Sequence, residues 1–332
     1  MSARGSRLAL AAVGVSLLAA LFFTTTYVLN RAIANAGGHW AWSAALRYFF
    51  TLPLLLALMP WQGGVAPVHA AIRAHPMVWL RWSAVGFVLF CCTLTFAADT
   101  APAWLVAGSF QLTVIAGMLL APLLYSDARR RIPARALGLG TVVFGGVLLM
   151  QFGHFSGGLD AAAWIALLAV VVSAFAYPLG NRKLLLHLEA SGESLNATQR
   201  VYGLTLVSQP LWWLVALHAF LQAGWPSLQQ MLLAGGVALG SGVIATVLFF
   251  LATGWVRNNP TALGAVEAMQ GAEILFATAL GALVLGEAWP HGLALCGSAL
   301  VLVGIVALGW LAGKQGAGDN ARTRALRSDR CG

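Results

Sequence analysis

Ten runs of mostly apolar residues, each about 20 residues long, follow one another along the chain. A helix of about 20 residues spans the hydrocarbon core of a bilayer, so each run is a candidate transmembrane helix. Charged residues make up only 9% of the sequence, against about 25% in an ordinary soluble domain. The sequence therefore predicts an all-α membrane protein with ten transmembrane helices, whose approximate limits are 8–30, 40–60, 77–98, 103–124, 134–152, 161–180, 202–223, 231–254, 261–285 and 289–312.

The basic residues are distributed unevenly among the loops between these runs. If the N-terminus lies inside, seventeen of the nineteen Lys and Arg fall in or next to cytoplasmic segments, Arg31 falls in an outer loop, and Arg47 falls within the second run. Such an excess on one side follows the positive-inside rule. It predicts a multi-pass protein of the inner (plasma) membrane with both termini in the cytoplasm. It also accounts for the net charge of +9 without a nucleic-acid partner.

Three local matches, in the same order in both halves of the chain, indicate an internal repeat. The offsets between matched positions drift only from about 150 to about 160 residues, and the matched features are Tyr27 to Arg31 with Tyr177 to Arg182, Arg47-Tyr48 and Pro53 with Arg200, Tyr202 and Pro210, and Pro102 and Gln111 with Pro260 and Gln270. Because five helices is an odd number, the second copy enters the membrane from the opposite side, as in many secondary transporters. We expect inverted five-helix repeats at 1–155 and 156–313, followed by a disordered basic cytoplasmic tail at 314–332.

The ninth run is the most informative, because it carries Glu267, Gln270 and Glu273 within an otherwise apolar segment. A charged side chain near the middle of a membrane helix costs roughly 2.5 to 3.5 kcal/mol on insertion scales, so such residues usually face a protein interior or a water-filled cavity. In a regular helix the three side chains share one face, with the two carboxylates about 9 Å apart along the axis. The pattern predicts that both glutamates line one cavity, together with Gln270.

Further polar and aromatic residues are candidates for the same cavity or for a gate. Gln111 is the repeat partner of Gln270, and either pairs with a neighbouring helix or lines the cavity. Arg47 is either an arginine that reaches the interface or a counter-charge, and Asp99 is either a solvated turn residue or part of a gate. The remaining candidates are aromatic and lie within the first, fourth and sixth runs, namely Tyr27, Trp104 and Tyr177.

Catalytic and metal-binding motifs are missing from the sequence. It contains no HExxH, Walker or GxSxG motif, and its four cysteines have no metal-ligand spacing. The sequence therefore predicts a protein that is not an enzyme and that needs no metal or cofactor. Transport driven by ATP is excluded for this chain alone, because it has no room for a nucleotide-binding domain.

Several segments resemble a known superfamily. Leu46-Arg47-Tyr48-Phe49 opens the second run and Leu285-Gly286-Glu287 closes the ninth, and with the repeat they resemble the drug/metabolite transporter superfamily of the type with two EamA-like halves. The segments 104–111 and 265–276, which read WLVAGSFQ and AVEAMQGAEILF, are similar to its branch of multidrug resistance efflux transporters. Many EamA-type chains carry a proline in the middle of the fourth and ninth helices, where this chain has Ile115 and Glu273 or their neighbours. The resemblance implies export of small molecules by proton exchange.

Together these observations favour a proton-coupled exporter of a small organic molecule. Glu273 near the midplane and Glu267 nearer the cytoplasm would alternate between proton and substrate, assisted by Gln270 and Gln111. A neutral or cationic solute fits, because Arg47 is the only arginine expected in the cavity. Two alternatives remain: a metabolite or amino-acid exporter of the same fold, and a membrane sensor or scaffold without turnover. The expected partners are the solute, protons and the bilayer, and the sequence does not indicate an oligomeric state.

Overall fold

The computed structural model describes residues 3–100, 103–132, 134–152, 161–285, 289 and 291–328. Its regular elements over these ranges are all helical, which confirms the all-α prediction. The α-helices are α1 (Ala3–Asn35), α2 (Trp40–Leu58), α3 (Ala66–Ala74), α4 (Pro76–Ser83), α5 (Phe90–Thr100), α6 (Ala103–Phe110), α7 (Thr113–Leu124), α8 (Ala134–Phe152), α9 (Ala161–Ser191), α10 (Ala197–Ala223), α11 (Leu228–Val237), α12 (Thr246–Val256), α13 (Pro260–Ala268), α14 (Ala272–Leu285) and α15 (Leu293–Ser328).

Eight helical segments within the described ranges are long and apolar enough to cross a membrane. Each of them coincides with one of the predicted runs. The fourth and fifth runs are also apolar and helical, but their apolar helices, Gly108–Leu124 and Ala134–Met150, are shorter. The membrane class of the chain is therefore supported, and the count of ten spanning helices stays a prediction.

The ends of two helices differ from what the sequence patterns indicate. α9 continues to Ser191, whereas the sixth run was expected to end at 180, so that polar residues of the expected loop belong to the helix. The backbone of α15 is helical as far as Ser328 and so extends over most of the segment 314–332, for which the sequence predicts disorder.

Hydrogen bonds fix the two ends of the bundle. At one end Gln230 donates to the carbonyl of His39, and Trp42 donates to the carbonyl of Gly224. At the other end Asn196 donates to the carbonyl of Gln62. This second end also carries the charged side chains of Arg129, Glu189 and Arg257, and we call it the basic end.

Helix packing is close wherever glycines face a neighbour. α8 packs along α15, where a Cβ at Gly297 would lie 2.5 Å from the Gly146 carbonyl oxygen. α9 packs against the segment that joins α4 to α5, and there Gly180 lies directly against Gly86. α2 pairs with α10, and α1 packs against α11 and α12. Small residues at such contacts let membrane helices approach closely.

Irregular turns interrupt several of the predicted runs. π-helical turns at Ala84–Leu89 and Ala238–Ala245 join α4 to α5 and α11 to α12. A 3-10 turn at Met269–Gly271 separates α13 from α14, and a turn at Gln111 and Leu112 separates α6 from α7. The π turns lie in the third and eighth runs, and the breaks lie in the fourth and ninth. At the breaks the backbone N–H groups of Gln111 and Leu112 donate to the carbonyls of Gly108 and Ser109, and that of Ala272 donates to the carbonyl of Met269.

Candidate binding site

A small cavity lies beside the break between α13 and α14. It is lined by residues of α1, α2, α5, α9 and the α13–α14 break, and also by residues near the α6–α7 break. The space open to the centres of water molecules is about 30 Å³, which is enough for one or two waters. A larger solute therefore needs a change of conformation to enter.

Glu273 supplies the carboxylate of this cavity. It lies in the first turn of α14, is only 3% exposed, and forms a side-chain hydrogen bond with Tyr27 of α1. This hydrogen bond gives the carboxylate a polar partner at this depth.

Arg47 of α2 supplies a positive charge to the same cavity. Its guanidinium is 6% exposed, and Nη2 donates a 2.8 Å hydrogen bond to the hydroxyl of Ser241 in the second π turn. Arg47 and Glu273 both line the cavity, and the ion pairs found among the described residues do not join them. The cavity thus contains one carboxyl group and one guanidinium cation. The first is hydrogen-bonded to the Tyr27 hydroxyl and the second to the Ser241 hydroxyl.

Four polar atoms of cavity-lining residues are buried without a hydrogen-bonding partner in the protein. They are Thr26 Oγ1, Arg47 Nε, Tyr177 OH and Gln270 Nε2, and the absence of a partner refers to the part of the chain that the structure describes. A buried polar group without a partner costs about 1–3 kcal/mol, so such groups usually serve a ligand or ordered water. Their convergence on one cavity suits a solute that offers both donors and acceptors.

Aromatic rings form the apolar walls. The ring centroid of Tyr177 lies 4.8 Å from that of Phe90 and 5.7 Å from that of Phe249. Phe110 lies 5.8 Å from Phe90, and Phe23 lies 6.3 Å from Phe249. These faces pack well against a flat or cationic group. The apolar walls and the few polar groups are typical of a small-molecule site.

Of the two glutamates expected to share a cavity, Glu273 lines this one and Glu267 does not. The Glu267 carboxylate is buried, 4% exposed, and it pairs with Arg182 of α9 through a 2.6 Å contact from Nη2 to Oε1. The 3-10 turn at Met269–Gly271 interrupts the regular helix on which the expectation of a shared face depended. Glu267 therefore faces α9, and Glu273 faces α1.

The other predicted residues divide between the cavity and its surroundings. Tyr27, Arg47, Tyr177 and Gln270 line the cavity, as expected for cavity or gate residues. Gln111 is buried at the α6–α7 break, between the cavity-lining residues Phe110 and Thr113.

Two candidates do not contribute to the described site. Asp99 is exposed near the end of α5 and does not line the cavity. Trp104 belongs to α6, and its side chain lies outside the described residues.

Sequence reasoning missed Arg182, Ser241 and Thr26. Arg182 was counted among the cytoplasmic charges, but it is 5% exposed. The one sequence signal for Arg182 was the match between Tyr177 to Arg182 and Tyr27 to Arg31. In both matched segments the arginine follows within five positions of a tyrosine that lines the cavity. Ser241 and Thr26 gave no signal, because single hydroxyls are common in membrane helices.

The apolar helices, with polar groups buried between them, are those of a multi-pass membrane protein. A family profile described as "EmrE: Putative multidrug resistance efflux transporter" matches residues 10–314, and the chain belongs to this family of transporters in the drug/metabolite transporter superfamily. The resemblance found in the sequence is thereby confirmed. Membership of a transporter family agrees with the prediction that the chain is not an enzyme.

Two relatives and one solved structure are similar over most of the chain. "Uncharacterized protein YjlA" of Bacillus subtilis (strain 168) is 40% identical over 304 residues, which cover 89% of this chain and 93% of that protein. "Uncharacterized 42.1 kDa protein in intracellular alkaline protease 3'region" of Shouchella clausii is 40% identical over 274 residues, covering 81% and 71%. One crystal structure superposes with a TM-score of 0.69 at 17% identity, covering 91% of this chain and 98% of that one. This last similarity concerns the fold alone.

Proposed function

We propose that the protein is a proton-coupled secondary transporter that exports small, neutral or cationic organic molecules across the inner membrane, and that proton and solute share Glu273. The observation that carries this proposal is the buried Glu273 carboxylate in an aromatic cavity whose other polar groups include unpaired donors. The family supports transport in general. The proton, the solute class and the direction are our inference from the site.

The proposed coupling follows from the cost of a buried charge. An ionised carboxylate at membrane depth is costly unless a positive or polar partner accompanies it. Glu273 therefore holds either a proton or the cationic or donor group of a solute, with the Tyr27 hydroxyl as a fixed hydrogen-bonding partner. The cavity has room for only one or two waters in this conformation. Proton and solute would therefore occupy Glu273 in turn, so that binding of one requires release of the other. Gln270 would orient the solute, and Gln111 would support the α6–α7 break.

Alternating access would come from the two halves of the chain, which we propose are inverted five-helix repeats with both termini in the cytoplasm. Irregularities at matching places in the two halves support the repeat. π turns occur in the third and eighth runs, and breaks divide the fourth and ninth. A proline lies within the helix of the second run and another within that of the seventh. Broken helices at a repeat interface are a common way to build a transport site near the midplane.

Proton flux in proteoliposomes tests the role of Glu273. Vesicles loaded with a pH-sensitive dye would be challenged with a panel of organic cations, neutral solutes and amino acids. At least one compound should drive proton movement with the native protein, and Glu273→Gln should abolish it, since the amide cannot exchange a proton. Glu193→Gln is the matched control, because Glu193 lies between α9 and α10, outside the cavity.

Unchanged proton flux in Glu273→Gln would refute the assignment. A compound that binds to the native protein without any counter-flow of protons would instead indicate the alternative of a sensor or scaffold.

Arg47 favours a second candidate, an exporter of metabolites or amino acids that carry a carboxylate. Arg47 places a positive charge at the cavity, which suits a solute with a carboxylate better than a purely neutral or cationic one. Its Nε has no hydrogen-bonding partner among the described residues. If the solute has a carboxylate, Arg47→Gln should weaken transport of anionic and zwitterionic compounds while sparing simple cations, and Arg47→Lys should retain part of it. Equal loss for all compounds would assign Arg47 a structural role.

A further inference from the structure

The ion pair between Arg182 and Glu267 ties three helices together on the side of the cavity nearest the basic end. Arg182 Nη2 lies 2.6 Å from both carboxylate oxygens of Glu267, and Nε lies 3.1 Å from Oε1. Nη1 donates to the carbonyl of Gly117 in α7. One guanidinium thus joins α9, α13 and α7. Two nitrogens on one carboxylate form the most directional kind of charged hydrogen bond.

Gly117 is fitted to this arrangement. A Cβ at this position would lie 2.7 Å from Glu267 Cδ and 2.9 Å from Oε1, so any larger residue would displace the carboxylate. The absence of a side chain lets the carboxylate lie against the α7 backbone while Arg182 reaches the carbonyl beside it. We call Arg182, Glu267 and Gly117 the inner latch.

A second set of charged contacts lies between the inner latch and the surface of the basic end. Glu189 of α9 contacts Arg129 at 2.9 Å and Arg257 at 3.2 Å. Tyr125 lies below the guanidinium groups of both Arg129 and Arg182, at 4.7 and 6.0 Å from the ring centroid. Charged side chains therefore connect α9 to the segments that follow α7 and α12. A pocket beside them, lined by Tyr125, Arg129 and Arg182 among others, has about 10 Å³ of space for water centres.

Exposure along the ninth run differs on the two sides of the break. Residues 261–274 are all buried, whereas residues 275–280 are all half-buried. Six consecutive residues cover every face of a helix, since one turn takes about 3.6 residues. No face of this part of α14 is therefore fully covered. The ninth run is therefore more deeply buried on the side of Glu273 nearest the basic end than on the opposite side.

We infer that the inner latch is the gate that closes the basic end of the transport passage, and that opening towards this end requires Arg182 to separate from Glu267. Glu267 is then a gating residue and not a second proton carrier. The 3-10 turn at Met269–Gly271 is the joint at which α13 would move away from α9 while α14 stays with Glu273. This inference rests on the proposed transport function and adds the residues that control access to its site.

The test measures access at both ends and requires no substrate. Two single-cysteine reporters, Ala121→Cys beside the inner latch and Thr278→Cys in the half-buried part of α14, would be made after replacement of the native cysteines Cys91, Cys92, Cys296 and Cys331 by Ala. Labelling rates with a water-soluble maleimide would be compared in the purified full-length protein. The latch variants are Glu267→Gln and Arg182→Gln, and Glu193→Gln is the control.

If the pair is a gate, each latch variant should raise the labelling rate of Ala121→Cys by about tenfold and lower that of Thr278→Cys. Loss of the pair would shift the population from the conformation closed at the basic end to the one open there, and the opposite end would then be closed. Glu193→Gln should change neither rate. A rise at Ala121→Cys without a fall at Thr278→Cys would show local loosening around a structural ion pair, and would overturn the proposal. No change at either reporter would overturn it as well.

Folding and function are controlled separately. If Arg182→Gln does not yield folded protein by size-exclusion chromatography, Gly117→Ala displaces the carboxylate without removing a charge, and the same two rates decide the outcome. Proton flux through Glu273 is an independent measurement. If the two labelling rates change in opposite directions but no proton flux is found, the gate stands and proton coupling is rejected. If Glu273-dependent proton flux is found but the labelling rates do not change, proton coupling stands and the gate is rejected.

Discussion

Replacement of Gly117 by alanine is the sharpest single perturbation of the inner latch. The added Cβ would lie 2.7 Å from Glu267 Cδ, whereas carbon atoms in contact are about 3.5 Å apart or more. Cδ must therefore move by about 0.8 Å, and Oε2, which lies nearer to the added Cβ than Cδ does, must move further. That shift is incompatible with two 2.6 Å contacts to Arg182 Nη2, because Arg182 is itself held by the Gly117 carbonyl. Overpacking of this kind typically costs about 1–3 kcal/mol, so we expect Gly117→Ala to destabilise the protein by that amount.

The matched control is Gly145→Ala in α8. A Cβ at Gly145 meets no atom within 4 Å, so the substitution should only remove the entropic cost of a helical glycine and stabilise by about 0.5–1 kcal/mol. Unfolding by SDS in dodecylmaltoside micelles, followed by the fluorescence of the thirteen tryptophans, would compare the two variants.

A second substitution separates the steric cause from a general effect on α7. Glu267→Asp shortens the side chain by one carbon–carbon bond of about 1.5 Å, which exceeds the required shift. The double variant Gly117→Ala with Glu267→Asp should therefore be more stable than Gly117→Ala alone. If Gly117→Ala is as stable as Gly145→Ala, the fit of the carboxylate against α7 does not matter and the reasoning fails.

Two further predictions concern a helix contact and a surface ion pair. Gly180→Ala should prevent folding or lower the free energy of unfolding by more than about 3 kcal/mol. The added Cβ would lie 2.6 Å from the backbone nitrogen of Gly86, which cannot move aside. Normal expression and melting of this variant would contradict the close contact of the two glycines. Hydrogen bonds from Arg129 hold the pKa of Asp127 below its usual range, so this carboxylate stabilises the fold above the unfolded pKa of about 3.9 and loses that effect as the pH falls through the lower folded pKa. Asp127→Asn should therefore melt slightly below the native protein at about pH 7, and the gap should narrow as the pH falls below about 3.9; a gap that stays constant in acid would show another cause.

Much of the architecture follows from the sequence because membrane insertion leaves a clear pattern. Runs of apolar residues predicted every described helix that can span a membrane. The depth of Glu273, Gln270 and Tyr177 followed from their positions within those runs, and all three line the cavity.

The helix breaks and the ion pair could not be predicted in the same way. No proline marks Met269–Gly271 or the turn at Gln111, so the breaks depend on tertiary packing that local sequence does not encode. The positive-inside rule counts Arg182 by its distance from a loop and is blind to its burial. Its partner is 85 residues away, with no local signal to connect the two.

That separation has a consequence for biosynthesis. Ribosomes add about 5–20 residues per second, so Arg182 leaves the ribosome roughly 4 to 17 s before Glu267. During that interval its guanidinium has no carboxylate, and it must stay in the headgroup region, which a long arginine side chain near a helix end can reach. α13 is too short to cross the bilayer and carries the acid. Its insertion is therefore expected to be more favourable once Arg182 of α9 is in the membrane to pair with the acid.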